Sequence, residues 1–348
     1  MTYEYDKVLT PTDGLRLHLN ENTAGCSPKV IAALQKVTRH DVAFYPDYDA
    51  VIAATAARLG VGSDEVLLTN GLDEGILAIT VAALRVRDVT TPEAIVVVPA
   101  FDMYAATAAG AGAQVVEVRC GEDFTFPLAA VLAAITPQTR LIFLTNPNNP
   151  TGTVIRQDDI VRIATVAPHV HVLVDEAYAD FAGLTLVGAP ELASLPNLVV
   201  GRTFAKAYGL AGIRAGALVG SSAALAPLRR IVPPFSVNAC AVAALAAALE
   251  DIEYHRWYLE QVRKSKALLY EAFDRAGIRF WRSDANFVLA HVGGRASAIV
   301  AGLAARGIHV RDKSRDPACP GCIRITTGVV EHTQACIRAL EEVLCAEA

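Results

Sequence analysis

Three things are scarce in this chain: long hydrophobic runs, an excess of one charge sign, and paired cysteine motifs. The longest uncharged stretch, Ile231 to Leu249, is broken by Pro233, Pro234, Ser236 and Asn238. Only the part from Ala239 onward is strongly apolar, which is too short to span a bilayer. Met1 to Lys7 carries Glu4 and Asp6 with no apolar stretch behind it, which argues against a secretory signal. With 31 basic and 36 acidic residues the net charge is −5, so there is no electrostatic footprint for nucleic acid or for an acidic membrane surface. Seven cysteines, an odd number scattered along the chain, fit free thiols in a reducing cytoplasm better than a disulfide framework. Cys319-Pro320-Gly321-Cys322 is a CxxC without a second CxxC, and its Pro-Gly centre is ordinary turn chemistry, so it reads as a loop and not as half of a zinc site or a redox pair. No metal site is expected. Internal repeats, low-complexity tracts and long linkers are also lacking.

What is present is enough apolar residue for a large core. At 348 residues and 53% hydrophobic composition, length alone favours about two domains. Seven short apolar runs end at Gly, Pro, Asn or Asp and read as buried strands: Val66 to Thr69, Ala94 to Val98, Gln114 to Val118, Leu141 to Thr145, Val170 to Val174, Leu198 to Gly201 and Ala217 to Gly220. Alanine-rich helical stretches lie between most of them, which predicts an α/β layer architecture with a mostly parallel sheet. From about Asp251 the pattern changes. A charged amphipathic segment, Asp251 to Gly277, precedes strand-like pieces at Ala285 to His291 and Gly307 to Arg311 and a closing helix from Glu331 to Cys345, a second and smaller domain.

Ligands of open α/β sheets collect beyond the carboxyl ends of the strands. Four predicted loops there carry chemistry: Asn70-Gly71-Leu72-Asp73-Glu74, the turn holding Asn149, Asp175 after Val174, and Lys206 after Gly201. Lys206 sits among Phe204, Ala205, Ala207 and Tyr208, where desolvation would lower its pKa and sharpen its amine as a nucleophile. A lysine alone carries little weight. Arg214 can offer a phosphate a bidentate fork, Thr203 a hydroxyl, and Leu72 and Asp73 the backbone N–H groups of a helix start. Asp175 leaves a buried strand and needs a cationic partner, which a protonated pyridine nitrogen would be, although an aspartate alone at a strand end more often caps the next helix. Tyr178 and Asn149 could hydrogen-bond a phenolic oxygen, and Phe101 could stack on the ring. An amine for a Schiff base, an acid for a ring nitrogen and a grip on a phosphate, in this order, read as a pyridoxal phosphate site.

The stretches Leu19-Asn20-Glu21-Asn22, Tyr45-Pro46-Asp47, Asn70 to Gly75, Pro99 to Tyr104, Asn146 to Gly152, Val174 to Tyr178, Gly201 to Arg214, Pro234 to Asn238, Asp284 to Phe287 and Cys322 to Thr326 together resemble fold-type-I pyridoxal phosphate aminotransferases, and most of all the histidinol-phosphate aminotransferase family. The resemblance covers nearly the whole chain. It implies a mostly parallel, mixed seven-stranded sheet between helices in a large cofactor-binding domain (41–250), with a smaller α+β domain from residues 1–40 and 251–348. It implies a cytoplasmic homodimer with shared active sites, in which Tyr45 reaches the partner's cofactor phosphate. Arg324, assisted by Arg311, would meet the anionic end of the substrate, with Asn22 and Asn286 also on the substrate side. The implied reaction moves the amino group of histidinol phosphate to 2-oxoglutarate. Some positions differ from the family pattern, and they fall on substrate recognition more than on the cofactor. A Pro-Tyr segment has no clear counterpart before Leu19, and Thr23, Ala24, Ala205 and Ala217 replace the usual proline, aromatic, serine and tyrosine. An aromatic or other amino-acid aminotransferase, and a phosphothreonine-type decarboxylase, remain alternatives. A cofactor-sensing regulator would need a DNA-binding module that the eighteen residues before Leu19 cannot hold.

Overall fold

In the computed structural model, residues 11–86 and 88–346 are described; the stretch Met1 to Lys7, read above for a signal, lies outside them. A short strand, β1 (Leu15–Leu17), belongs to the smaller of two sheets. The next seven strands form the larger one: β2 (Val66–Asn70), β3 (Glu93–Val98), β4 (Gln114–Arg119), β5 (Thr139–Thr145), β6 (His171–Asp175), β7 (Leu198–Thr203) and β8 (Ala215–Val219), in the order β2-β8-β7-β6-β5-β3-β4. β4, β3, β5, β6 and β7 run parallel, while β8 is antiparallel to both β7 and β2. All seven apolar runs in the sequence are strands of this one sheet.

Their legibility has a physical cause. Successive side chains of a strand face opposite sides, and here both sides are covered. On β5, Ile142 and Leu144 pack with Ile160 and Ile163 of the helix Gln157–Val166. Leu141 and Phe143 pack with Ile76 and Ile79 of the helix Leu72–Leu84 on the other face. Each fully buried Leu or Ile contributes about 1.5–3 kcal/mol, and a one-residue slip of register would exchange the two packed faces.

The smaller sheet, in the order β1-β11-β12-β10-β9, adds β9 (Arg279–Phe280), β10 (Phe287–His291), β11 (Ile308–Asp312) and β12 (Cys322–Thr326). β1 pairs in parallel with β11, so a strand near the start of the described chain is completed by one from near its end. The helix Ile252–Arg275 lays Leu269, Ala272 and Phe273 on this sheet, a spacing of three and four that gives one helical face. Its start is capped by Asp251, whose Oδ1 accepts from the Tyr254 N–H at 3.4 Å. The helix Pro28–Leu34 crosses to the larger sheet, where Val30 is buried with Val51 and Leu245. No helix among the described residues is long and apolar enough to cross a membrane.

A buried ionic cluster joins the two layers behind the strand ends. Arg202 of β7 donates to Glu176 at 3.2 Å and to Asp180 at 2.9 Å, and His255 of the long helix lies 3.3 Å from Asp180. Burial raises a carboxyl's pKa, yet Arg202 and His255 outweigh it and bring Asp180 down to about 2. Removing the arginine would take from Glu176 its ion-pair partner and leave Asp180 to His255. Arg202→Met is expected to lower unfolding free energy by about 3–5 kcal/mol, read from the denaturant midpoint of the unliganded protein; a loss below about 1 kcal/mol would show that the cluster is not a structural tie.

Candidate active site

The carboxyl ends of β2, β5, β6 and β7 open into a cavity of about 310 Å³, within the range of small-molecule sites. All four predicted loops contribute to its wall. Lys206 follows the end of β7 by three residues, and its Nζ donates to the Leu19 carbonyl at 2.9 Å. Burial, reinforced by the Arg324 charge, lowers its pKa to about 8. A free amine is therefore within reach near neutral pH.

Asp175 is the last residue of β6 and only 5% exposed. Its Oδ2 accepts from the Tyr104 hydroxyl at 2.6 Å and its Oδ1 from the Ala177 N–H at 2.9 Å. Both bonds favour the carboxylate, but burial outweighs them and holds the group at about 6. Tyr104 is fixed in turn: its ring stacks on Phe143 at 4.8 Å, and its hydroxyl oxygen accepts from Thr145 Oγ1 at 3.1 Å. An acid raised and an amine lowered in one cavity are both short of charge partners. A cationic heterocycle against Asp175 and an electrophile at Lys206 would relieve both.

The phosphate-sized end is built from backbone. Gly71 stands at φ +74° before the helix Leu72–Leu84, with no side chain capping that start, so the N–H groups of Leu72 and Asp73 remain for a ligand. β8 approaches so closely that a Cβ on Gly216 would lie 2.6 Å from both Gly71 C and Leu72 N. Arg214 has φ +60°, an uncommon conformation for a side-chain-bearing residue, and its guanidinium lies over Gly71, where a Cβ would come within 2.5 Å of Nη2. Arg214 also donates to Asp73 at 2.7 Å and to the Ala211 carbonyl at 3.2 Å. Thr203 lines the same wall and accepts from the Ala205 N–H at 3.2 Å. Phe101 lines the cavity edge-on to Tyr104, with centroids 5.7 Å apart. Helix start, guanidinium, hydroxyl, flanking aromatic, buried acid and desolvated amine fit the phosphate, ring, ring nitrogen and aldehyde of pyridoxal phosphate.

The opposite wall comes from the smaller sheet. Arg324 on β12 is in register with Arg311 on β11, and both face the cavity. Arg324 donates to the His18 carbonyl at 2.8 Å and to Asn149 Oδ1, with its guanidinium 5.2 Å from the Phe287 ring centroid. Between the walls Tyr178 lines the cavity, its hydroxyl accepting from Asn20 Nδ2 at 3.0 Å. Burial pushes the Tyr178 phenol upward, with Arg324 and Asn20 opposing.

Three candidates lie elsewhere. Asn22 is not on the cavity wall; its Nδ2 donates to the Ala207 carbonyl at 3.1 Å and holds the lysine turn from behind. Asn286 is fully buried and donates to the Asn20 carbonyl at 3.1 Å, which sets the backbone beneath Tyr178. Tyr45 is 78% exposed outside the cavity and stacks on Phe235 at 4.3 Å. Conversely, Tyr104 and Asn20 are in the site although sequence reasoning gave them no role. Tyr104 lies within the Pro99 to Tyr104 stretch, but nothing local marks a hydroxyl that meets an acid 71 positions away.

The chain matches the family "Aminotransferase class I and II" over residues 12–341. It belongs to that family. Among its relatives, the histidinol-phosphate aminotransferase of Akkermansia muciniphila is 37% identical over 97% of this chain and 92% of its own length. Histidinol-phosphate aminotransferase 2 of Ralstonia nicotianae is 38% identical over 95% and 88% respectively. The crystal structure of the Sinorhizobium meliloti histidinol-phosphate aminotransferase in complex with pyridoxal-5'-phosphate superposes with a TM-score of 0.86 at 27% identity, covering 97% of this chain and 92% of that one. The protein is thus a pyridoxal phosphate-dependent aminotransferase of the fold-type-I architecture.

The raised acid gives this aminotransferase a defined pH signature. Between the ordinary aspartate value of 3.8 and about 6, the native state without cofactor binds more protons than the unfolded state, so Asp175 lowers stability as pH rises through that window. Asp175→Asn is expected to be more stable than wild type at neutral pH by up to about 3 kcal/mol, with the difference closing below about pH 4, while cofactor affinity falls. Cofactor-free unfolding at both pH values tests this, and a variant destabilised equally at both would contradict it.

Proposed function

We propose that this aminotransferase takes histidinol phosphate as amino donor and 2-oxoglutarate as acceptor, a step of histidine biosynthesis. The observation that carries the reading is the arginine pair Arg311 and Arg324 on the wall facing Lys206, in a chain whose relatives of that name align over nearly their whole length. An arginine engages a carboxylate or phosphate through paired N–H donors, so the amine end of an anionic donor would be turned toward Lys206.

When bound, pyridoxal phosphate supplies an aldehyde that exchanges amines and a ring that takes up the electron pair left when the substrate Cα proton departs. The chain supplies the rest. Lys206 Nζ takes the Cα proton and returns one on the other side of the exchange, as base and then acid. Asp175, fixed by Tyr104 and Ala177, would keep a proton on the ring nitrogen. Tyr178 and Asn149 would take the phenolic oxygen, Phe101 the ring face, and Arg214, Thr203 and the N–H groups of Leu72 and Asp73 the phosphate. Asn22 acts by bracing the lysine turn and Asn286 by bracing the backbone beneath Tyr178.

The reading includes a homodimer in which Tyr45 completes the partner's site, supported by the exposed Tyr45–Phe235 pair. It also includes a large body (41–250) and a smaller one (1–40 and 251–348), with the helix Pro28–Leu34 packing across. The biosynthetic role and the seven free cysteines support a cytoplasmic location.

Lys206→Ala should reduce turnover at least about 10⁴-fold with the fold retained by circular dichroism, whereas near-wild-type turnover would refute the role of Lys206. In a donor panel, histidinol phosphate should give the highest kcat/KM against phenylalanine, tyrosine and aspartate, and preference for an aromatic amino acid would overturn the assignment. If sites are shared, hybrids of a Lys206→Ala chain and a Tyr45→Ala chain regain sites that carry neither lesion. Mixing should then restore up to about a quarter of wild-type sites, and no restoration above the separate variants contradicts a shared site.

A further inference from the structure

Beyond Arg311 and Arg324, the wall that the smaller sheet gives the cavity presents a third cation, Lys313. We propose that Lys313, held in place by Asp316, is a specificity-determining residue that favours a phosphate-bearing donor over one ending in a carboxylate; this rests on the donor assignment above.

The placement is built into the strand. Lys313 is two residues after Arg311, and its N–H donates to the Cys322 carbonyl at 3.0 Å, which continues the β11–β12 ladder by one residue. Residues two apart on a strand share a face, so Lys313 and Arg311 project together toward the cavity. The Lys313 side chain is 12% exposed and its Nζ meets Asp316 Oδ2 at 3.0 Å. Asp316 is itself tied to the backbone: its Oδ1 accepts from the Ala318 N–H at 3.0 Å and its carbonyl from the Cys319 N–H at 2.8 Å. An ammonium has three donors, so one bond to Asp316 leaves two for a ligand, and a clamped head loses less rotamer freedom on binding.

The Cys319-Pro320-Gly321-Cys322 loop thereby acquires a task. Cys319 and Cys322 are buried with Leu289 beneath this turn, and the Cys322 N–H closes it on the Cys319 carbonyl at 3.1 Å. The buried turn fixes the loop from which Asp316 positions Lys313.

Charge and valence give the selectivity. A carboxylate has one charge and two oxygens, which a single arginine fork can satisfy. A phosphate monoester carries close to two charges near neutral pH and three terminal oxygens, and an added ammonium meets the surplus of both. Lys313 should therefore matter for the phosphate-bearing donor and little for glutamate.

The test compares wild type, Lys313→Gln and the double variant Lys313→Gln/Asp316→Asn, which leaves no orphaned carboxylate. On cofactor-loaded protein, KM for histidinol phosphate should rise about tenfold or more with kcat within about twofold, while KM for glutamate changes less than about threefold. Binding of inorganic phosphate by calorimetry should weaken by a similar tenfold factor in both variants. Unchanged phosphate binding, or equal losses for histidinol phosphate and glutamate, overturns the role of Lys313 and leaves the donor assignment standing. Wild type that ignores histidinol phosphate, but binds inorganic phosphate through Lys313, supports this cation site and overturns the donor assignment instead.

Discussion

The structure turns on two ionisable groups withdrawn from water at the ends of adjacent parallel strands. Asp175 closes β6 and Lys206 follows β7, and burial moves the acid up to about 6 and the amine down to about 8. Neither position is comfortable for the chain alone, because each group has lost hydration without gaining a full counter-charge. A ligand with a basic ring nitrogen and a carbonyl carbon meets both needs. The mismatch is held in place by the packed sheet on one side and the Arg202–Glu176–Asp180–His255 cluster on the other, so the site cannot relax it away.

Two walls with different duties follow from two sheets. The larger sheet supplies the amine, the acid and the helix start with its guanidinium, all at the edge where its parallel strands end. The smaller sheet supplies the cations of the opposite wall, Arg311, Lys313 and Arg324. The segment from His18 to Asn22 bridges them, giving carbonyls to Lys206 and Arg324 and a side chain to Tyr178. Thr23, where the family more often has proline, ties this bridge to the C-terminal region by accepting from the Val329 N–H at 2.9 Å. Ala217 is buried inside β8 and Ala205 lies on the cavity wall, so the first of these departures alters the packing of the sheet and the second the lining of the site.

Much of this was legible in the sequence, for reasons that particular residues display. Leu141 to Thr145 and Val170 to Val174 stand out as apolar runs because helices cover both faces of their sheet. Lys206, Asp175, Asn149 and the Asn70 to Glu74 turn could be placed in one crevice because each follows such a run. β1 was not legible, since the three residues Leu15-Arg16-Leu17 are too few to establish an alternation and become a strand only by pairing with β11. The Tyr104 hydroxyl on Asp175 and the Asn286 bond to the Asn20 carbonyl join positions 71 and 266 residues apart, and no local pattern encodes such a meeting. Asn22 and Asn286 carried the right chemistry for a substrate contact, yet the fold places them one layer back, where an amide is worth more as a brace for buried backbone.

Borohydride reduction of the cofactor-loaded protein, followed by peptide mapping, tests the central claim most directly, because it marks the one amine that the cofactor aldehyde engages. A pyridoxyl group on Lys206 alone is the predicted result; a label on another lysine, or none, would contradict the account.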